Sequence, residues 1–274
     1  MTVGLIEGLH SHSLKTASRW LSRSMAACFG AMVIGQLAFA LFIALFYYPS
    51  TLTGNLAAWN TKPLITGHVP GDGMGNAAFA FHVLGAGLMT VSGWFQFLPA
   101  IRRRWPALHR WNGRFFLLSS SLIAINGLLL VWVRGSWLTL AGGLGVSFNG
   151  LIILICGARA FLHARARDFA AHRRWAIRLF VAASGVWFIR IFYMAWGITT
   201  GGIGIEPRLS GPFDQIVAFA NTLLPLAVLE LYFRAERARS ALPRYSVAFL
   251  LALSAVVILG GSAGAWLVMW SPYI

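Results

Sequence analysis

The chain has 274 residues, of which 58% are hydrophobic and only 11% are charged. A soluble domain of this length needs far more charge to cover its surface, so the composition excludes an ordinary soluble protein and indicates an integral membrane protein. The formal net charge of +15 suggests a nucleic-acid partner, but the distribution of the charge argues against nucleic acid.

In chain order, seven apolar runs are long enough to cross about 30 Å of hydrocarbon. They lie at about 26–48, 76–100, 112–134, 146–166, 175–198, 213–234 and 246–270. We therefore predict an all-α, polytopic membrane protein with a single transmembrane domain over residues 26–274. The preceding residues 1–25 are predicted to be a cytoplasmic segment that lies along the inner surface as a short amphipathic helix. The first run is too long for a cleaved signal peptide, so it is expected to be a retained anchor.

The basic residues indicate the orientation of these spans. Eighteen of the 22 Lys and Arg residues precede span one or lie around the turns that join spans two and three, four and five, and six and seven. This is the positive-inside pattern, which predicts a cytoplasmic N-terminus and an outer C-terminus in a bacterial inner membrane. The expected partners of the basic face are anionic lipids.

Three further features of the chain bear on its organisation. The longest outer loop, 49–75, is rich in turn residues and is either a partial lid over the bundle or a plain connector. In span seven, Gly260 and Gly264 form a small-xxx-small pair that favours close helix packing. Cys28 and Cys156 lie inside apolar runs, where they are expected to be small buried hydrophobes.

Residues 76–134 and 146–198 look like two copies of one unit, each an apolar span, a basic turn with His-Arg and Trp, and a second span. A duplication of this kind predicts that spans two to five form a pseudo-symmetric four-helix core. The core would then be similar to that of the b-type membrane cytochromes.

The residues of this region also resemble a known family. They include Phe81-His82, Gln96-Phe97-Leu98-Pro99, His109-Arg110, Gly113-Arg114, His172-Arg173-Arg174-Trp175, Arg178, Arg190, Asn221, Pro225 and Glu230-Leu231-Tyr232. Over about residues 76–234 this order resembles a bacterial family of predicted polytopic membrane proteins, domain of unknown function 2306. Ala176 departs from it, because methionine is expected there. The resemblance implies the architecture and no settled activity.

On the inner side, the repeat places His109 and His172 at equal depth at the start of spans three and five. Two facing imidazoles in a helix bundle are what a b-type haem needs as axial ligands, and Arg114 and Arg178 would then face its propionates. His163 is a spare candidate ligand. The alternative is that both histidines are interfacial residues among Arg and Trp anchors.

On the outer side, His82 and Arg190 are predicted about 8–12 Å below the surface. An arginine inside a membrane span is energetically costly, so it indicates a functional site unless a structural partner is found. The candidate partners of Arg190 at similar depth are Asn149, Asn221 and Asp214. These five residues would form a pocket for a quinone headgroup or another small anionic or amphipathic molecule, or Arg190 and Asp214 would form a structural tether. Glu230 is expected to pair with an inner arginine.

The chain contains no phosphate-binding loop, zinc motif, nucleophile elbow or carboxylate dyad. The sequence therefore favours a redox-associated membrane protein that uses haem b or handles quinol. The alternative is a cofactor-free transporter or accessory subunit that binds a small solute or lipid in the outer pocket. Partner membrane subunits are compatible with either hypothesis.

Overall fold

A computed structural model describes the backbone of residues 2–274 and the side chains of residues 12–274. No strand occurs over residues 2–274. The main helices are α1 (Thr2–Leu52), α2 (Gly73–Phe97), α3 (Pro99–Arg104), α4 (Pro106–Trp132), α5 (Leu140–Arg165), α6 (Phe169–Ala183), α7 (Gly185–Thr200), α8 (Pro212–Arg237) and α9 (Ala241–Ala265). Shorter helical turns lie at Leu56–Thr61, Pro207–Leu209, Trp266–Trp270 and Ser271–Tyr273.

The helices coincide with the seven predicted spans. Six of them are individually long and apolar enough to cross a membrane, and the pair α6 and α7 supplies a seventh crossing if it is taken as one bent span. The chain alternates between two ends of the bundle. We call the end that contains residues 98–110, 166–174 and 235–244 the basic side, because most of the arginines lie there, and the other end the opposite side.

The N-terminal segment differs from the prediction. Residues 2–52 form one continuous helix, so the part before residue 26 extends the first span instead of turning along the membrane surface. No proline occurs before Pro49, and nothing in the local sequence breaks the backbone hydrogen-bond ladder. Ala17 and Leu21 are buried, and Arg244 at the start of α9 donates a hydrogen bond to Ser18 Oγ. Because of these contacts the extension packs against its own protein.

Span five is broken in the middle. Helices α6 and α7 meet at Ser184 with a bend of 55°. Ser-Gly pairs are a common cause of such kinks, and Ser184 is followed directly by Gly185. The first unit of the predicted repeat has a continuous helix, α4, at the equivalent place, so the two units differ in shape.

The packing shows how the spans are arranged. Helices α2, α4, α5 and α6 pack against one another in that order, while α1 packs against both α2 and α9. Helix α7 contacts α8 and α9, and α8 also contacts α5. The α2–α4 and α5–α6 hairpins of the predicted core are therefore recognisable, but the far half of span five packs mainly against spans six and seven.

Small residues bring α7 and α9 close together. A Cβ at Gly261 would lie 2.6 Å from the Ile191 carbonyl oxygen, and one at Gly264 would lie 3.2 Å from Met194 Cβ. Gly260, in contrast, has no atom within 4 Å of an added Cβ. The prediction of a glycine-mediated contact in span seven is correct for Gly264 and wrong for Gly260, because the contacting face is shifted by one residue to Gly261.

Candidate functional site

Arg190 lies inside the bundle on α7, in the half nearer the opposite side. Its guanidinium Nη1 donates a hydrogen bond to the Val186 carbonyl of its own helix, and its Cζ lies 5.1 Å from the centre of the Phe39 ring on α1. Among residues 12–274, no Asp or Glu oxygen lies within 4 Å of the guanidinium. A guanidinium has five N–H donors, so this half-buried cation is left with spare donors and, among the described residues, without a carboxylate partner.

Three other polar side chains lie within electrostatic range of Arg190. They are Tyr47 on α1, His82 on α2 and Lys62 in the segment between α1 and α2. The His82 Nδ1 atom is buried and has no hydrogen-bond partner in the described part of the chain. Its polar neighbour is Asn126 on α4, whose Oδ1 is also buried and unpartnered. We call Arg190, His82 and Lys62 the cationic cluster.

Lys62 reaches the cluster from a folded segment at the opposite side, residues 53–72, which we call the strap. Its ammonium donates to the Met269 carbonyl oxygen and lies 4.6 Å from the Phe42 ring centre and 4.1 Å from that of Tyr273. Burial, together with the positive charge of Arg190, lowers the pKa of Lys62 to about 8. Lys62 therefore places a second, partly desolvated cation beside Arg190.

The strap is fastened at both ends. Trp59 is buried and donates its indole N–H to Ser50 Oγ at 3.0 Å. Arg134, at the end of α4, forms an ion pair with Asp72 at 2.9 Å and donates to Asn76 Oδ1 and the Gly67 carbonyl. The predicted loop 49–75 thus contains the last turns of α1, the strap and the start of α2.

Asp214 does not lie beside Arg190, so the predicted tether is wrong. Its carboxylate accepts hydrogen bonds from the Gly211 and Glu206 backbone N–H groups and from the Tyr193 hydroxyl. An aspartate at the third position of a helix is well suited to satisfy the free N–H groups of the first turn. This local requirement at the start of α8 fixes Asp214 at the mouth of the bundle.

Asn149 and Asn221 lie instead at the break in span five. Asn149 Nδ2 donates to the Ala182 carbonyl at 2.9 Å and to Thr222 Oγ1 at 2.8 Å. Thr222 in turn donates to Asn221 Oδ1 at 3.1 Å. The asparagines therefore satisfy a backbone carbonyl beside the break, and the structure gives them no contact with Arg190. Of the five predicted residues, Arg190 and His82 therefore belong to the cationic cluster. Asp214 belongs to the start of α8, and the two asparagines belong to the break in span five.

A second polar chain reaches the same break from the other side. Trp94 on α2 donates to Gln36 Oε1 at 2.6 Å, and Gln36 Nε2 donates to Ser184 Oγ at 2.8 Å. Sequence reasoning missed this chain as well as Lys62 and Tyr47. A signal was available for two of them, because Gln36 is a lone amide in the first span and Lys62 is a lone cation in its outer loop.

On the basic side, His109 and His172 occupy equivalent positions, each the fourth residue of its helix. His172 Nδ1 lies 2.9 Å from the Ala160 carbonyl oxygen, and His109 Nδ1 is buried without a partner in the described residues. His163, the spare candidate, pairs with Asp168 at 3.4 Å.

The two arginines predicted to face haem propionates are placed differently from each other. Arg178 forms a bidentate pair with Glu230, with N···O distances of 2.6 and 2.9 Å, which confirms the expected pairing of Glu230 with an arginine. Arg114 is exposed and lies over the Trp111 ring at 4.7 Å. The Glu230 carboxylate therefore already accepts the hydrogen bonds that Arg178 would donate to a propionate. Among residues 12–274 there is no group of three or more His, Cys, Asp or Glu side chains that could hold a metal ion.

Fold and site together define a polytopic α-helical membrane protein with a partly buried cationic cluster. A family model described as Predicted membrane protein (DUF2306) matches residues 79–211. The match covers just under half of the chain and confirms the resemblance expected there. The match ends before Asn221, Pro225 and Glu230. No curated protein and no solved structure matches the chain, so the similarity to b-type cytochromes stays a prediction.

Proposed function

We propose that the protein binds a small amphipathic molecule with an anionic or strongly hydrogen-bond-accepting headgroup at the cationic cluster. A carboxylate or a quinone headgroup has this chemistry, so the proposal covers both quinol handling and cofactor-free binding or transport of a small solute or lipid. The positive-inside distribution supports a cytoplasmic basic side in a bacterial inner membrane, which would place the cluster in the outer half of the bundle.

The observation that carries the proposal is the unpaired guanidinium of Arg190. An arginine within a span costs about 3 kcal/mol or more. A cation–π contact such as that with Phe39 returns about 0.5–2 kcal/mol. Lys62 adds a second positive charge nearby instead of a negative one, and His82 contributes an unpartnered ring nitrogen. A headgroup with two accepting oxygens would satisfy the spare donors and, if anionic, would neutralise the cluster.

The experiment compares Arg190→Leu with Arg208→Leu, a control arginine in the exposed opposite-side turn. The probes are decanoate, an anionic amphipath, and decylubiquinone, a neutral one, and the readout is the Tm of the detergent-purified protein. We expect at least one probe to raise the Tm of the wild type and of Arg208→Leu but not that of Arg190→Leu. A response to decanoate alone indicates an anion site, whereas a response to decylubiquinone indicates a quinone site.

The same measurement without a probe separates binding from a structural role. A structural arginine loses stability when it is replaced by leucine, whereas removal of an unpaired buried charge is neutral or stabilising. We therefore expect Arg190→Leu to insert normally and to have a Tm equal to or above that of the wild type. A lower Tm for Arg190→Leu, with no probe effect on the wild type, would overturn the proposal.

A second candidate function is electron transfer through haem b at His109 and His172. A histidine that ligates a metal usually donates its other ring N–H to a carbonyl or carboxylate, and the Ala160 carbonyl would hold His172 in this way, with Nε2 free. His172 would therefore be the better oriented of the two candidate haem ligands, while Arg178 is paired with Glu230 and is not free for a propionate. When bound, the haem would supply one-electron chemistry.

Haem binding is tested by the absorbance of protein purified after haem-replete expression. A Soret band that shifts on addition of dithionite, and that is lost in both His109→Ala and His172→Ala but kept in His163→Ala, supports this function. A colourless preparation contradicts it and leaves the proposal for the cationic cluster untouched, because the two sites share no residue.

A further inference from the structure

A cavity of about 490 Å³ lies between α1, α6, α7, α8 and α9, in the half of the bundle nearer the basic side. Its volume falls within the range of about 300–1,000 Å³ that is typical of ligand-binding sites. Side chains such as Met32, Phe180 and Leu251 line it, and the lining is mostly apolar. None of the residues of the cationic cluster contributes to this cavity.

The sequence explains why space is left here. Pro225 lies in the wall on α8, where a proline removes a backbone hydrogen bond and disturbs close packing of the helix. Two of the facing positions carry the short side chains Ala26 on α1 and Ser254 on α9. A helix that contains a proline, opposite small residues, leaves volume that the neighbouring side chains do not fill.

The cavity opens sideways into the bilayer. Leu224 on α8 and Leu253 on α9 both line it, and they are 54% and 50% exposed on the surface of the bundle. In a membrane this surface faces lipid chains. Dry apolar cavities accept hydrocarbon and exclude water, so the medium at the opening supplies a natural occupant.

One charged side chain, Arg173, is among the residues that line the cavity, and it stands at the basic-side end. Its side chain is 52% exposed, and its Nη2 lies 3.8 Å from Glu236 Oε1. That oxygen already accepts the Tyr232 hydroxyl at 2.7 Å, so the ion pair is loose. The planar guanidinium therefore keeps donors for the bidentate contact that arginine makes with phosphate.

We propose that this cavity is a phospholipid site: one acyl chain enters between α8 and α9, and the anionic headgroup pairs with Arg173. The apolar lining matches the chain, the lateral opening matches its path of entry, and the arginine at the rim matches the phosphate. Anionic lipids are concentrated in the leaflet that contacts a basic cytoplasmic face. The site is independent of the cationic cluster, which lies nearer the other side of the membrane.

The test measures retained lipid by native mass spectrometry. Delipidated protein is incubated with phosphatidylglycerol or phosphatidylcholine of identical chains and returned to detergent. We expect the wild type to retain one phosphatidylglycerol, with a preference over phosphatidylcholine of about tenfold, as for one charge-assisted hydrogen-bonded contact. Arg173→Gln should lose this preference while Arg103→Gln, in the exposed basic helix α3, keeps it.

A second variant tests the cavity itself. Ala26→Phe fills the lining position on α1 and should abolish retention of both lipids; Ser254→Leu serves the same purpose if Ala26→Phe does not fold. Equal retention by the wild type and the filled variant would overturn the proposal. So would an equal loss of preference in Arg173→Gln and Arg103→Gln, which would indicate general surface charge. An excess of glycerol 3-phosphate should not displace the lipid, since the chain anchors it.

Discussion

Gly185 begins α7 directly after the break in span five, and the absence of a side chain there makes room for two buried asparagines. A Cβ would lie 2.6 Å from Asn149 Nδ2 and 3.0 Å from Asn221 Oδ1. Asn149 Nδ2 is held by the Ala182 carbonyl and by Thr222 Oγ1. The amide therefore cannot move away from an added methyl group without losing hydrogen bonds.

The magnitude for Gly185→Ala follows from three effects. Alanine gains about 1 kcal/mol over glycine in a helix. Overpacking costs about 1–3 kcal/mol, and a buried polar group that loses its partner costs about 1–3 kcal/mol. The net destabilisation is about 1–5 kcal/mol. At about 2–4 °C per kcal/mol, we expect the Tm to fall by several degrees.

The assay is thermal unfolding of detergent-purified protein followed by tryptophan fluorescence. Gly197→Ala is the matched control, because it lies in the same helix and an added Cβ there has no atom within 4 Å. The control should keep or slightly raise the Tm. In Gly185→Ala/Asn149→Ser the smaller polar side chain leaves room for the methyl group, so the two losses should be less than additive. A Gly185→Ala protein as stable as the Gly197→Ala control would refute the reasoning.

Four other predictions concern polar contacts away from this break. Arg178→Gln and Glu230→Gln should each lower the free energy of unfolding by about 1 kcal/mol or less, since the carboxylate is 41% exposed. In a thermal double-mutant cycle, the double variant should lose less stability than the sum of the two single variants. Additive losses would show that the pair does not couple α6 to α8. For Lys62, whose folded-state pKa is lowered to about 8 from 10.5, the cost of the buried charge is present below pH 8 and is relieved as the pH rises toward 10.5. The Tm of the wild type relative to Lys62→Met should therefore rise between pH 7.5 and 9.5, and a constant difference would contradict this. Arg134→Ala should free the strap and speed chymotryptic cleavage after its exposed Leu64, whereas an unchanged rate would mean that the strap is held without this arginine. The hydrogen bond from the Gly75 N–H, assisted by Arg134, lowers the pKa of Asp72. The stabilisation from Asp72 is complete above the ordinary aspartate pKa and is lost as the pH falls through the lowered pKa. Acid should therefore also speed cleavage of the strap by an acid-active protease, and more so in the wild type than in Asp72→Asn.

The span positions could be predicted because hydropathy is summed over about twenty residues, so single exceptions do not disturb it. Helix geometry within and between spans was harder to predict. The extension of α1 was missed because a basic segment with Trp20 suits a membrane surface equally well. The break at Ser184 left a signal in the Ser-Gly pair, but such pairs also occur in unbroken helices.

The polar partners show what depth along a helix can and cannot predict. The pairing of Glu230 was predictable because carboxylates are scarce and arginines crowd the same end. The pairing of Arg190 with Asp214 failed because depth gives no information about which way a side chain faces around its helix. Asp214 accepts hydrogen bonds at the start of its own helix, and the polar neighbours of Arg190 come instead from α1, α2 and the strap, which are distant in sequence.

The buried polar groups of this bundle differ in whether the fold completes their bonding. Gln36 uses both ends of its amide, and Arg178 faces a carboxylate bidentately. Each of these groups joins neighbouring helices, and that contact is a sufficient physical reason for its presence in the membrane. Arg190 lacks such a reason, because its guanidinium donates to its own helix and the charged side chain that feels its field, Lys62, is another cation. A half-buried charge that no other side chain neutralises finds its partner outside the chain, in water, in a lipid headgroup or in a bound solute. The binding site is therefore proposed at Arg190 and not at the deeper asparagines, whose amides are bonded within the bundle.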